Sequence, residues 1–249
     1  MSWFDAFCHS FSTIATAGFS TQNSSIGAYS GLIQWTIIFF MFCAATNFSL
    51  HYYFIAKGKF EYFKDQEFRY YLVICIMFCL LFFINIISTN QYQINFITVR
   101  HSIFTAVSLL TTTGFSTADF NNWPDMSKML VFVLLFIGGT AGSTTGGMKI
   151  IRTIVVSRYL LCEVRRLLHP KGIFNIKLGK KIIDDDVVKA TLGFYLFYLF
   201  IFIFTAIILS TTGLDFITSL TAAASAIGNV GPGLGAIGPS ESWGHLTDL

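Results

Sequence analysis

Apolar positions along the chain fall into stretches of two lengths. Four stretches approach or exceed the roughly 20 apolar residues that cross a bilayer, at 31–56, 68–87, 129–148 and 187–209. Three shorter runs lie at 3–11, 99–107 and 216–224. A helix of that shorter length reaches only about halfway through the hydrocarbon core. The pattern therefore predicts an all-α integral membrane protein in which half-length helices stand between full spans.

Composition supports a lipid environment for this chain. Of its 249 residues, 54% are hydrophobic and 12% are charged, whereas charged residues make up about a quarter of an average soluble domain. The 28 phenylalanines exceed what one soluble core of this length can bury. The five cysteines show no metal-type spacing and are read as small hydrophobic residues.

Lysine and arginine mark the predicted cytoplasmic side. Only Arg100 and Lys128 lie outside two basic connections. Because short loops rich in these residues stay in the cytoplasm, the opposite connections are predicted to face outside. The net charge of +3 follows from orientation and requires no nucleic-acid partner, although the second basic connection also suits anionic lipid or an acidic partner. The basic positions in these two connections are Lys57, Lys59, Lys64, Arg69, Lys149, Arg152, Arg158, Arg165, Arg166, Lys171, Lys177, Lys180, Lys181 and Lys189.

A short motif follows each of the half-length runs. "GFST" stands at 18–21 and 114–117, and a weaker copy, "SAIGNVG", stands at 225–231. Each copy has a serine six positions before its glycine, at Ser12, Ser108 and Ser225. Irregular polar backbone is tolerated at membrane depth only when it is buried in protein or lines a wet cavity. One such motif alone is typical of a turn or a helix-packing spot, but three copies predict re-entrant loops that enter from outside.

The loops suit a monovalent cation that has lost its water shell. Backbone carbonyls from several loops can form rings that replace the hydration oxygens. Glycine permits left-handed conformations that aim carbonyls at a common axis, and the C-terminal end of each half-length helix adds partial negative charge. The three loop cores contain no carboxylate, which favours a carbonyl-lined filter over a carboxylate ring.

The third long stretch is interrupted by "IGGTAGSTTGGMK" at 137–149. Its glycines disfavour a continuous helix, because each costs about 1 kcal/mol relative to alanine. Serine and threonine offer alternative hydrogen bonds to the freed backbone. Close helix packing through small residues is one alternative interpretation. A phosphate-binding loop is another, but the G-x-x-x-x-G-K-[ST] spacing is not met.

Together the motifs resemble the Trk/Ktr/HKT superfamily of potassium transport subunits, most closely its bacterial TrkH type. The stretches that carry the resemblance are "HSFSTIATAGFST", "ATNFSLHYY", "TTTGFST", "GGTAGSTTGGMKIIR" and "GNVGPGLG". The resemblance implies repeated units of a span (M1), a pore helix and a second span (M2) around a pseudo-fourfold pore. The chain then divides into 1–66, the end of repeat two; 67–170, repeat three; and 171–249, repeat four without its final M2. It is expected to be a fragment that does not conduct ions alone.

The resemblance also implies residue roles. It implies a multi-pass protein of the bacterial inner membrane that takes up potassium, with potassium as transported substrate and no cofactor. A homodimer and a cytoplasmic nucleotide-binding regulatory subunit are the expected partners. Glycine in every visible filter loop is the potassium-preferring pattern, although the first-repeat loop is not in this sequence. The implied filter residues are Thr16, Ala17, Gly18, Thr112, Thr113, Gly114, Asn229, Val230 and Gly231. The implied gating loop below the filter contains Gly138, Gly139, Gly142, Ser143, Gly146 and Gly147.

Other function classes fit the sequence less well. A membrane enzyme needs nucleophiles, paired acids or metal ligands, and the five histidines are scattered without useful spacing. A broken-helix secondary transporter for sodium or a small solute is the alternative, but it predicts inverted halves, whereas these repeats run in the same direction. Asn47 and His51 are expected to form hydrogen bonds between helices, and Asp184, Asp185 and Asp186 are expected to start a helix.

Overall fold

The computed structural model describes residues 1–89, 95–169, 172, 174–179, 181–241 and 243–245. These residues are mostly helical, which confirms the predicted all-α class. Lys171, Lys180 and the predicted boundary at 170–171 lie outside the described residues. The longer elements are α1 (Trp3–Ile14), α2 (Gly31–Ala44), α3 (Phe48–Lys57), α4 (Gln66–Ser88), α5 (Phe96–Leu110), α6 (Asp125–Leu134), α7 (Ile150–Leu168), β1 (Lys177–Leu178), β2 (Lys181–Ile182), α8 (Asp185–Ser210) and α9 (Phe216–Gly228). Short 3₁₀ turns lie at Ser25–Ala28, Tyr62–Lys64, Phe120–Asn122, Gly235–Ile237 and Trp243–His245.

Helices α4 and α8 are long and apolar enough to cross a membrane. Their 23 and 26 residues extend about 35 and 39 Å at 1.5 Å per residue, more than the hydrocarbon core of about 30 Å. They confirm the predicted spans at 68–87 and 187–209. Exposed apolar side chains such as Leu80 and Phe200 line their outer surfaces, as lipid contact requires. Helix α8 begins at Asp185, so the acidic helix start is also confirmed.

The predicted span at 31–56 is bent and is not one continuous helix. Helices α2 and α3 occupy that stretch, but they are bent by 99°. The side chain of Asn47 caps α3 by accepting a hydrogen bond from the Ser49 amide at 2.9 Å. The Phe48 amide donates to the Gly142 carbonyl at 3.0 Å, a partner far along the chain. The cap that starts α3 and this distant contact together stabilise the bend between α2 and α3.

The predicted interruption of the third long apolar stretch is confirmed. Helix α6 ends at Leu134, and the following helix, α7, begins only at Ile150. The segment 135–149 between them is called the intramembrane loop below, after the location that the resemblance implies. It folds back on itself: the Gly138 amide donates to the Met148 carbonyl at 2.9 Å, and the Met148 amide donates to the Phe136 carbonyl at 3.0 Å. These bonds satisfy backbone groups that a helix would otherwise pair.

The half-length helices α1, α5 and α9 begin and end in similar ways. Their caps are Ser2, Asn95 and Asp215, whose side chains each accept a hydrogen bond from an amide of the first turn. Helix α5 is the most central of the three. It packs against α2, α4 and α6, and its side chains are buried from Phe104 to Leu110. Helix α5 therefore ends inside the protein, whereas Ile14, the last residue of α1, is 52% exposed.

Candidate ion-binding site

The three predicted filter loops share one backbone conformation. Thr16, Thr112 and Asn229, at equivalent positions, have φ angles of 49°, 51° and 57°. Two residues later, Gly18, Gly114 and Gly231 have φ angles of 73°, 78° and 105°. The residue between each pair lies outside this left-handed region. Positive φ is uncommon for threonine, so its recurrence shows that the three loops are built alike and that successive peptide groups are turned in a repeated way.

A hydrogen bond at the end of each half-length helix fixes this conformation. The amides of Ala17, Thr113 and Val230 each donate at 2.9 Å to a serine carbonyl five residues earlier. Those carbonyls belong to the repeated serines, Ser12, Ser108 and Ser225. In the middle loop the Ser108 hydroxyl also donates to the Phe115 carbonyl at 2.6 Å. The recurring serine noted in the sequence thus stands where each helix passes into its loop.

The loops lie against one another in order. A Cβ atom built on Gly18 would lie 1.9 Å from the Thr113 carbonyl oxygen. A Cβ on Gly114 would lie 1.8 Å from the Val230 carbonyl oxygen. At Gly231, no atom of the described residues lies within 4 Å of the Cβ position. Two successive contacts therefore bring all three predicted filter segments together, and glycine is required at both.

The intramembrane loop lies against the ends of all three half-length helices. The Thr144 hydroxyl donates to the carbonyl of Ile14, the last residue of α1, at 2.9 Å. The Gly146 amide donates to the Thr112 hydroxyl, just after α5, at 2.7 Å. A Cβ on Gly146 would lie 2.3 Å from the carbonyl oxygen of Gly228, the last residue of α9. The negative ends of three helix dipoles therefore meet at this loop.

Glycines of the intramembrane loop allow two kinds of close fit. Gly142 and Gly147 adopt left-handed φ angles of 73° and 60°. Gly138 is close to another part of the same loop, because its Cβ would lie 2.1 Å from the Gly146 carbonyl oxygen. Gly139 is close to the bend between α2 and α3, where its Cβ would lie 2.7 Å from the Ala45 carbonyl oxygen.

Hydrogen bonds reinforce this contact between the two broken segments. Both the amide and the hydroxyl of Thr140 donate to the Ala45 carbonyl, at 3.0 and 3.1 Å. Within the loop, the Ser143 hydroxyl donates to the Thr140 carbonyl at 2.5 Å. The bend at 45–47 and the break at 135–149 are therefore one packed unit.

A cavity of about 380 Å³ lies between the first and third predicted filter loops. Thr16, Ala17, Asn229, Val230 and Gly231 form its filter side, and Thr144 and Gly146 of the intramembrane loop also line it. The predicted filter and the predicted gating loop thus share one cavity.

A family model described as "TrkH: Cation transport protein" matches residues 1–248 of the chain. This chain belongs to that family. The TrkH potassium uptake protein of Halomonas elongata is 37% identical over 251 residues, which cover 100% of this chain and 51% of that protein. The TrkG potassium uptake protein of Escherichia coli is 33% identical over 253 residues. The crystal structure of the potassium transporter TrkH from Vibrio parahaemolyticus matches with a TM-score of 0.90 and 37% identity, over 95% of this chain and 52% of that one. The chain spans about half the length of the curated relatives it matches.

The threonines of "GFST" anchor the loops in this TrkH-family chain. The Thr21 hydroxyl donates to the Asp5 carboxylate at 2.6 Å, and Thr117 Oγ1 lies 2.9 Å from His101 Nδ1. Asp5 and His101 occupy equivalent positions, each 13 residues before the loop glycine. The hydrogen bond from Thr21, with a further one from Ser2, lowers the pKa of Asp5. Sequence reasoning missed both anchors, although their equal spacing from the glycines was available to find them.

Sequence reasoning also missed Glu67, at the start of α4. Its side chain is buried, and Oε1 accepts hydrogen bonds from the amides of Ala141 at 2.8 Å and Ile151 at 3.0 Å. The signal that the sequence offered for Glu67 was a carboxylate directly before the apolar stretch at 68–87.

At the end of the intramembrane loop, the Lys149 ammonium group donates to the carbonyl and the hydroxyl of Thr145. His51 bridges the Cys43 carbonyl at 2.9 Å and the Tyr62 hydroxyl at 2.8 Å, which agrees with the expected structural role.

Proposed function

We propose that this chain forms three quarters of a potassium-selective filter in a protein that takes up potassium. The observation that carries the proposal is the ordered contact of the loops: Gly18 lies against the Thr113 carbonyl, and Gly114 lies against the Val230 carbonyl. Relatives named as Trk system potassium uptake proteins support the choice of ion.

Backbone carbonyls of the filter residues supply the ion ligands in this proposal. Carbonyl rings can replace the hydration shell of a cation without a fixed negative charge. Alternation of left-handed and other backbone conformations is compatible with carbonyls that face a shared axis. The nine residues proposed to coordinate potassium are Thr16, Ala17, Gly18, Thr112, Thr113, Gly114, Asn229, Val230 and Gly231.

The intramembrane loop acts as the gate below this filter. Support comes from its position against Ile14, Thr112 and Gly228, and from the cavity that it shares with the filter loops. The proposed gate contains Gly138, Gly139, Gly142, Ser143, Gly146 and Gly147. Movement of this loop away from the helix ends opens the lower side of the filter.

The proposal also assigns the chain an orientation in the membrane and an assembly with other subunits. Basic residues in the connections after α3 and after α7 favour a cytoplasmic location for those connections, so the filter loops open to the outside of a bacterial inner membrane. A fourth loop from the same polypeptide completes the pseudo-fourfold ring, with the segments 1–66, 67–170 and 171–249 belonging to repeats two, three and four. The assembly is a homodimer with a cytoplasmic nucleotide-binding regulatory subunit.

Rubidium uptake tests the filter. The protein is expressed from its complete gene in bacteria that lack their own potassium uptake systems, with Gly114→Ser as the test variant and Gly213→Ser as the matched control. Gly213 also has a left-handed φ, of 86°, but no atom of the described residues lies within 4 Å of its Cβ position. We expect uptake to fall at least tenfold in Gly114→Ser and less than twofold in the control. Equal uptake by Gly114→Ser and the original protein at equal membrane levels contradicts the filter assignment.

A broken-helix secondary transporter for sodium or a small solute is the second candidate. The breaks at 45–47 and 135–149 favour it, because unwound segments bind substrate in such proteins. It predicts sodium-dependent solute uptake that survives Gly114→Ser. If rubidium uptake is independent of sodium and is lost in Gly114→Ser, the result supports the potassium filter over the secondary transporter.

A further inference from the structure

Glu67 holds together two parts of the chain that are distant in sequence. One oxygen, Oε1, accepts the amide hydrogen bonds of both Ala141 and Ile151. Ala141 lies inside the intramembrane loop, whereas Ile151 lies in the first turn of α7. A carboxylate on α4 therefore joins the loop to the helix that follows it.

The chemistry of this contact makes it strong. Amides of the first helical turn have no partner within their own helix, so the Ile151 amide needs an acceptor from another part of the chain, and the Glu67 side-chain oxygen supplies it. Since Glu67 is only 8% exposed, movement of the loop leaves a buried carboxylate with fewer donors, which is costly. The contact thus favours one placement of the loop.

Glu67 also lies close to the predicted cytoplasmic connection. Asp65 caps α4 through the Phe68 amide at 2.7 Å, and α4 packs against α7. The other end of the same loop contacts the filter, through Gly146 and Thr112. A displacement at the cytoplasmic start of α4 or α7 therefore changes the Glu67 contact before it reaches the filter.

We propose that Glu67 is the positioning residue that holds the intramembrane loop closed and couples its release to movement of α4 and α7. This inference rests on the proposed function, in which the loop is the gate. Glu67 binds no ion in this scheme, because its hydrogen bonds are directed at backbone amides. A regulatory partner that separates α4 from α7 on the cytoplasmic side opens the pore by removing one or both of these donors.

A cysteine-accessibility experiment measures release of the loop directly. Met148 is buried at the end of the loop, so the cysteine introduced by Met148→Cys reports opening. The full protein in inside-out vesicles is treated with a charged thiol reagent, and labelling of the native cysteines is subtracted with matched proteins that retain Met148. Glu67→Ala, Glu67→Asp and Glu67→Gln are compared with Glu163→Gln, which removes a carboxylate from an exposed ion pair with Arg166 on α7.

We expect labelling to rise at least fivefold in Glu67→Ala, by an intermediate factor in Glu67→Asp, and less than twofold in Glu67→Gln and in the control. Glutamine keeps an oxygen at the right reach, whereas aspartate is one methylene too short to serve both amides. Rubidium uptake rises in the same order. If Glu67→Ala fails to reach the membrane, the difference between the aspartate and glutamine variants decides.

A flat series, or glutamine as disruptive as alanine, overturns the role of Glu67. Labelling is independent of transport, so the two proposals can fail separately. If labelling follows the series but the protein takes up no rubidium, the result supports the role of Glu67 in holding the loop and contradicts the proposed function.

Discussion

Replacement of Gly114 by alanine tests the close approach of the filter loops. The new Cβ would lie 1.8 Å from the Val230 carbonyl oxygen and 2.8 Å from Pro232 Cδ, whereas ordinary contacts lie near roughly 3.5 Å. The left-handed backbone costs an L-residue about 1–2 kcal/mol, and overpacking adds about 1–3 kcal/mol. The expected loss of stability is therefore about 2–5 kcal/mol. Gly213→Ala has a similar φ without the overlap, so only the first cost, about 1–2 kcal/mol, applies to it.

Thermal unfolding of the detergent-purified protein measures this difference. A chain of this size loses roughly 2–4 °C of melting temperature per kcal/mol, so an overlap cost of about 2 kcal/mol lowers the melting temperature of Gly114→Ala by roughly 4–8 °C more than that of Gly213→Ala. The comparison is made at one protein concentration and one heating rate. Equal melting temperatures for the two variants refute the packing of Gly114 against the third loop.

Three further variants test other contacts. Thr112→Val removes the acceptor of the Gly146 amide while conserving volume, so stability falls by about 1–3 kcal/mol; an unchanged melting temperature excludes that bond. Gly146→Ala pushes the intramembrane loop off α9, and we expect rubidium uptake in cells to rise at least threefold, whereas unchanged uptake speaks against the contact. Asp5→Asn weakens the Thr21 anchor at neutral pH. Because the folded pKa of Asp5 is lowered, its stabilisation is present above the ordinary carboxyl pKa of about 3.9 and is lost as pH falls through the folded value. The melting temperatures of the original protein and Asp5→Asn should then differ at pH 7 and converge below pH of about 4; a constant gap contradicts the assignment.

The repeated architecture could be predicted from the sequence because its signals are local. Half-length apolar runs, the recurring serine and the glycine at 18, 114 and 231 all lie within a few residues of the feature they specify. The break after α6 was equally visible, since several glycines are concentrated there. Each of these signals reflects a conformation of the local backbone, so it can be recognised without knowing which distant residues contact it.

The bend at 45–47 could not be predicted in the same way. The region around the bend contains the polar residues Thr46, Asn47 and Ser49 but no glycine or proline that would by itself end a helix. What turns the chain is the contact of Ala45 and Phe48 with residues 140–142, almost a hundred positions later. Sequence reasoning missed Glu67 for the same reason, because its hydrogen-bond partners are 74 and 84 residues away.

The long reach of these contacts has a consequence for biogenesis. Thr144 bonds to Ile14 across 130 residues and Thr140 bonds to Ala45 across 95, while Gly146 rests on the end of α9, which is translated later. Because the chain is synthesised from its N-terminus, Ile14 and Ala45 are already present when the loop is made, whereas Gly228 is not. The intramembrane loop therefore reaches its final place only after α9 has been inserted, and a ribosome that stalls before that helix leaves a precursor whose loop lacks the Gly228 carbonyl as a support.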